Sequence, residues 1–156
     1  MSFVIAGLEP APFAHLFGLS DQALAERQAV RMIADAKPGF PCRVTLEDAE
    51  PGEAVLLVNH EHLPVETPYR SAHAIFVREG AGEPARFAGV IPEQLSSRLL
   101  SVRAFDGAGM MTDADVIEGT DLEALIARFF ADATVAYLHV HNARRGCFAA
   151  RVDRAS

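Results

Sequence analysis

Short apolar runs separated by glycine and proline turns recur along almost the whole sequence. This punctuation constrains the fold most, because it cuts the chain into strand-length pieces. Strands are expected over 3–8, 30–34, 42–46, 54–59, 74–78, 85–90, 99–105, 111–117, 135–141 and 147–152. The turns between them include Lys37-Pro38-Gly39-Phe40-Pro41, Pro51-Gly52, Glu79-Gly80-Ala81-Gly82 and Asp106-Gly107-Ala108-Gly109. The run 54–59 is continuously apolar, the pattern of a strand covered on both faces.

Two segments carry helical signals. Ser20 is placed to N-cap a short helix over 21–28. The clearer helix spans 121–133, where Thr120 and Glu123 have capping-box spacing. Leu122, Leu125, Ile126, Phe129 and Phe130 then fall on one face at helical spacing. Residues 92–95 suggest a further helical turn. Together these elements predict an α+β fold, a bent, mainly antiparallel sheet of about seven or eight strands with two helices packed on it.

The chain has 156 residues, a length that buries roughly two-thirds of the unfolded surface and suits one domain, taken here as 1–156. Half of it is apolar and 22% charged, which excludes a disordered chain. A net charge of −7 argues against a general nucleic-acid binder, since phosphate contacts need clustered positive charge. No apolar run approaches the roughly 20 residues of a membrane span. The acidic, proline-interrupted N-terminus does not read as a signal peptide. A cytoplasmic location is therefore expected, with Cys42 and Cys147 reduced.

Chemistry gathers at a few places. Alternation along 135–141 puts Ala136, Leu138 and Val140 on one face and Tyr137, His139 and His141 on the other. Two histidines at i, i+2 stand about 6–7 Å apart at Cα, so both rings can converge on one ion or one substrate. Zinc or iron needs a third ligand, which His60, Glu61 or His62 in Asn59-His60-Glu61-His62 can supply if the fold brings one near. Against a metal, the hairpin continues into Arg144 and Arg145, whose positive charge opposes a cation, and no metal ligand is assigned. Arg103, inside a strand, must face solvent, pair with an acid or line a cleft. Arg43 and Tyr69 are further candidates, the latter in Pro68-Tyr69-Arg70-Ser71-Ala72-His73. Cys42 beside Arg43 offers a thiol nucleophile. The structural alternative for each is ordinary: salt-bridged arginines, a buried free cysteine, and histidines on a polar strand face.

The segments Gly39-Phe40-Pro41-Cys42-Arg43, Asp48-Ala49-Glu50-Pro51-Gly52-Glu53, Thr67-Pro68-Tyr69, Ala74-Ile75-Phe76-Val77, Val102-Arg103-Ala104-Phe105 and Gly146-Cys147-Phe148 follow one another in an order that resembles the bacterial domain-of-unknown-function family 1203 (DUF1203). The resemblance covers nearly the whole chain and implies a fold grouping, without an activity, substrate or cofactor to carry over.

The residues favour a protein that binds a small anionic metabolite. Arg43, Tyr69 and Arg103 would hold the anion, and His139 or His141 would transfer a proton. The alternative is a non-catalytic interaction domain, a homodimer joined through sheet edges or the Leu/Phe-rich helix. The third reading is a metalloenzyme at the histidine pair. No Gly-rich phosphate loop, dinucleotide fingerprint or Cys-x-x-Cys pair names a cofactor, so the cofactor is left unknown.

Overall fold

The computed structural model describes residues 2–155. Its elements run β1 (Phe3–Ala6), α1 (Ala11–Ala14), α2 (Asp21–Ala25), β2 (Val30–Ile33), β3 (Ala54–Leu63), β4 (Ser71–Arg78), β5 (Arg86–Ala88), α3 (Glu93–Ser96), β6 (Leu99–Asp106), β7 (Met111–Glu118), α4 (Leu122–Phe130), β8 (Val135–Asn142) and β9 (Phe148–Arg154). The architecture is the expected α+β one, with every strand pair antiparallel. The nine strands divide between two sheets, one of six in the order β5-β1-β9-β8-β6-β7 and one of three in the order β2-β3-β4.

The larger sheet packs on both faces, although exposed Arg151 and Ala114 show that the second is covered only in part. On one, Leu100, Val102, Ala104, Leu138, Val140, Ala150 and Val152 pack against Leu122, Leu125, Ile126, Phe129 and Phe130 of α4. The helical stripe therefore lies in the core and offers no free docking face. Over part of the other face lies the three-stranded sheet, joined to the 41–48 segment by a bridge between Cys42 and Phe76. Ser20 caps α2 as its position predicts, its hydroxyl accepting from Ala23 N at 3.1 Å.

Three local expectations are corrected. Residues 42–46 form a compact turn instead of a strand: Cys42 N–H donates to Glu47 O, Leu46 N–H donates to Cys42 O, and Leu46 has φ 54°. The β-branched side chains there point to a strand, but the segment turns on itself and spends its remaining backbone groups on Leu8, Phe76 and Ala85. Helix α4 is shorter than 121–133, and Thr120 and Glu123 form no capping box. Thr120 lies inside a 3₁₀ turn at Gly119–Asp121, and so does not take the extended backbone of an N-cap; the turn runs so close to α3 that a Cβ on Gly119 would lie 1.9 Å from Leu95 O. Finally, β3 runs on past Asn59 to Leu63, which puts Asn59-His60-Glu61-His62 on a strand.

Candidate metal centre

Period-two alternation on β8 sends Leu138 and Val140 into the α4 core, so Tyr137, His139 and His141 must face the other way. That face is covered rather than solvated: His139 and His141 are each 2% exposed. The cover comes from β3, where the same alternation puts His60 and His62 on the face opposite Glu61. Two register shifts flank the place where the strands meet, one between His60 and Leu63 and one between Val140 and His141. Such bulges re-aim side chains beside sites.

The result is a cluster of His62, His139 and His141. One ring nitrogen from each lies within 4.8 Å of the other two. Phe148 forms a common wall, its ring stacked on His62 at 5.2 Å and set edge-to-face against His139 at 5.0 Å and His141 at 5.8 Å. Phe105 packs on His139 from the far side.

Three buried nitrogens in this cluster have no hydrogen-bond partner: His62 Nδ1, His139 Nδ1 and His141 Nε2. An orphaned buried polar atom costs about 1–3 kcal/mol, so three in one place need a reason. His141 is the clearest of them. Its Nδ1 lies 2.9 Å from Gly146 O and donates to it, which leaves Nε2 as the lone-pair atom.

The cluster is also neutral at ordinary pH. Burial, reinforced by the neighbouring imidazoles and Arg103, pushes His62 down to about 4 and His139 down to about 3. His141 is pushed down to about 3 as well, chiefly by burial, although its bond to Gly146 works the other way. Neutral imidazoles with free lone pairs are the ligands that zinc, iron and copper take. With metal–nitrogen bonds of about 2.0–2.1 Å, three ligating nitrogens sit about 3.4 Å apart. Side-chain rotation of roughly an ångström per ring closes the observed spacing onto that geometry.

Of the residues expected to form an anion cleft, the fold brings together His139, His141 and Arg103. Arg103 lies opposite His139 in the β6–β8 register and so on the same face. It is partly buried, and burial lowers its pKa with no acid beside it to compensate. Arg43 is committed elsewhere. It is 1% exposed, and its guanidinium donates to Phe148 O at 2.8 Å, Pro41 O at 2.5 Å and Cys147 Sγ at 2.9 Å. Its part is to anchor the backbone behind Phe148. Tyr69 packs edge-on against Phe105, one ring removed from His139. Cys42 is fully buried, with Sγ accepting from the backbone N–H groups of Arg78 and Thr45. Both cysteines are free.

Among the three candidates for a third ligand, His62 is the one that joins the pair. Glu61 turns outward to a bidentate pair with Arg70, and His60 lies between Phe13 and Phe148. The His-x-His alternation, once β3 is carried through it, puts both His60 and His62 on the covered face, and the contact with β8 selects His62. Among the described residues, no helix is long and apolar enough to cross a membrane. The search for similar proteins found no match among curated proteins or solved structures. The model of a family described as protein of unknown function, DUF1203, matches residues 39–154, a span that holds both halves of the histidine cluster, and the chain belongs to that family.

Proposed function

We propose that the protein is a metal-binding protein, with a divalent transition metal held by His62, His139 and His141. The observation that carries this reading is the convergence of three buried or half-buried imidazoles, one ring nitrogen of each within 4.8 Å of the other two, in a cluster where each ring also has a buried nitrogen without a hydrogen-bond partner. One ion takes a lone pair from each ring. Three neutral nitrogen donors suit zinc, and also copper or iron, and leave a coordination position for a small ligand. The metal supplies Lewis acidity to whatever binds there. The protein's residues fix the three ligands on two sheets, exclude water with Phe148 and Phe105, and hold the His141 tautomer through Gly146. Acid/base work by His139 or His141, expected from the sequence, gives way to ligation, because both rings are buried and resist protonation.

Elemental analysis of tag-free protein tests this. Close to one zinc, iron or copper per chain is expected, either as isolated or after each metal is added back. The metal should be lost in His62→Ala and in the His139→Ala/His141→Ala double variant. No uptake of any of the three ions by folded wild-type protein would overturn the reading.

A second reading, self-association, has one observation in its favour. The edge strand β2 exposes Val30 at 54% and Ile33 at 56%, with Met32 between them at 37%. Light scattering after chromatography checks it: a dimer that Ile33→Glu dissociates supports an edge contact, and a wild-type monomer at high concentration removes it.

A further inference from the structure

The metal-centre reading leaves one charge unexplained. Arg103 stands opposite His139 across the β6–β8 ladder, partly buried, with no acid or carbonyl partner among the described residues. The other arginine beside His139, Arg151, is satisfied. It pairs with Asp153 at 2.9 Å and stacks on the Tyr137 ring at 4.2 Å. The field of Arg103 reaches all three imidazoles of the cluster. A fixed positive charge beside a dication site is unfavourable by itself, and becomes favourable once an anion sits between the two.

Resting on the metal-centre reading, we infer that the site binds its metal and a small carboxylate or oxyanion together, each raising the affinity for the other, with Arg103 as the coupling residue. One oxygen of the anion ligates the metal, while the guanidinium receives the remaining oxygen through its forked N–H groups. The coupling is reciprocal: if the anion tightens the metal, the metal tightens the anion by the same factor. Arg103 and His62 are the partly exposed members of the group and mark the side from which a ligand enters, whereas His139 and His141 form its floor. The substrate class is thus a small molecule with a carboxylate or similar oxyanion end. This keeps Arg103 from the anion cleft expected of the sequence, and supplies the metal as the second cation it needs.

The test uses metal-stripped full-length protein titrated with cobalt(II) perchlorate, followed by the visible absorption of the bound ion. Titrations run alone and with acetate or bicarbonate as the probe anion. In wild type, either anion should raise cobalt affinity by at least about tenfold. Arg103→Gln should bind cobalt more tightly than wild type when no anion is added, because the repulsion is gone, and should lose the anion effect. A purely structural role for Arg103 moves neither quantity in that direction. If Arg103→Gln fails to fold by circular dichroism, Arg103→Lys carries the test. It keeps the charge but not the fork, so it should leave the anion-free affinity near wild type and lose most of the enhancement. Wild-type affinity that ignores both anions, or an anion effect that survives in the variant that folds, overturns the inference while leaving the metal centre standing. No cobalt binding with or without anion overturns the metal centre itself.

Discussion

Leu138 and Val140 on one face of β8, and His139 and His141 on the other, are all at most 2% exposed, yet the two faces are built on opposite terms. On the α4 side, every buried group is apolar and gains from close packing without needing a partner. On the side facing β3, equal burial leaves three ring nitrogens unpaired and removes the means to protonate them. Folding stability alone gives no reason to place histidines there, since an apolar residue of similar volume would bury the same area without the penalty. The contrast teaches that burial by itself does not identify a core: one layer stabilises the fold, and the other is held in place by it.

That comparison can be broken most forcefully from the apolar side. Phe130→Ala, deep under the larger sheet, should cost about 3–5 kcal/mol in urea unfolding. Any variant protein that still folds should keep its metal stoichiometry. On the histidine side, His141→Ala should weaken metal affinity by more than about 100-fold, beyond what loss of an outer-shell partner does, with a much smaller loss of apoprotein stability. The sharper discriminator is His139→Leu. It fills the space without an orphan nitrogen, so the apoprotein should gain up to about 1 kcal/mol while the metal site is lost. A destabilised His139→Leu apoprotein would mean that this histidine is a satisfied core residue after all.

Acid titration sharpens the same point. Below pH 6.5 the histidines of the unfolded chain take up protons, while His62 resists until about 4 and His139 and His141 until about 3. The unfolded state then binds more protons, so stability falls as pH drops from 6.5 towards 3. Replacing His139 and His141 with leucine should flatten that part of the profile. The smallest effect expected is at Glu61→Gln, which disturbs only an exposed pair with Arg70 and should change stability by no more than about 0.5 kcal/mol, with metal binding intact.

The helical stripe of α4 was legible in the sequence because helical periodicity is local: Leu122 to Phe130 carry the whole signal among themselves. The inward and outward faces of β8 were legible for the same reason, one strand's alternation sufficing. The pairing of His139 and His141 with His62 was not, because it depends on how two sheets meet, and nothing between the two segments encodes that contact. Arg43 misled in a different way. A charged side chain in a motif invites a ligand, but its partners are main-chain and thiol atoms, two of them more than a hundred residues away. The segment around it reads as a strand from its β-branched residues and forms a turn, closed by Cys42 and Leu46 and tied by backbone hydrogen bonds to Leu8, Phe76 and Ala85.

The placement of the three histidines also has a mechanical consequence. Two stand on β8, an interior strand of the six-stranded sheet hydrogen-bonded on both sides, and the third stands on the separate three-stranded sheet. An ion shared among them is a rivet between the two sheets, added to the packing of Leu63 on Phe105 and Tyr137 and of His62 on Phe148. Its signature in hydrogen exchange is therefore uneven. Amides of β2, β3 and β4 should slow when metal is added, because opening the smaller sheet now breaks a coordination bond. Amides of β8 should exchange at nearly the same rate with or without the ion.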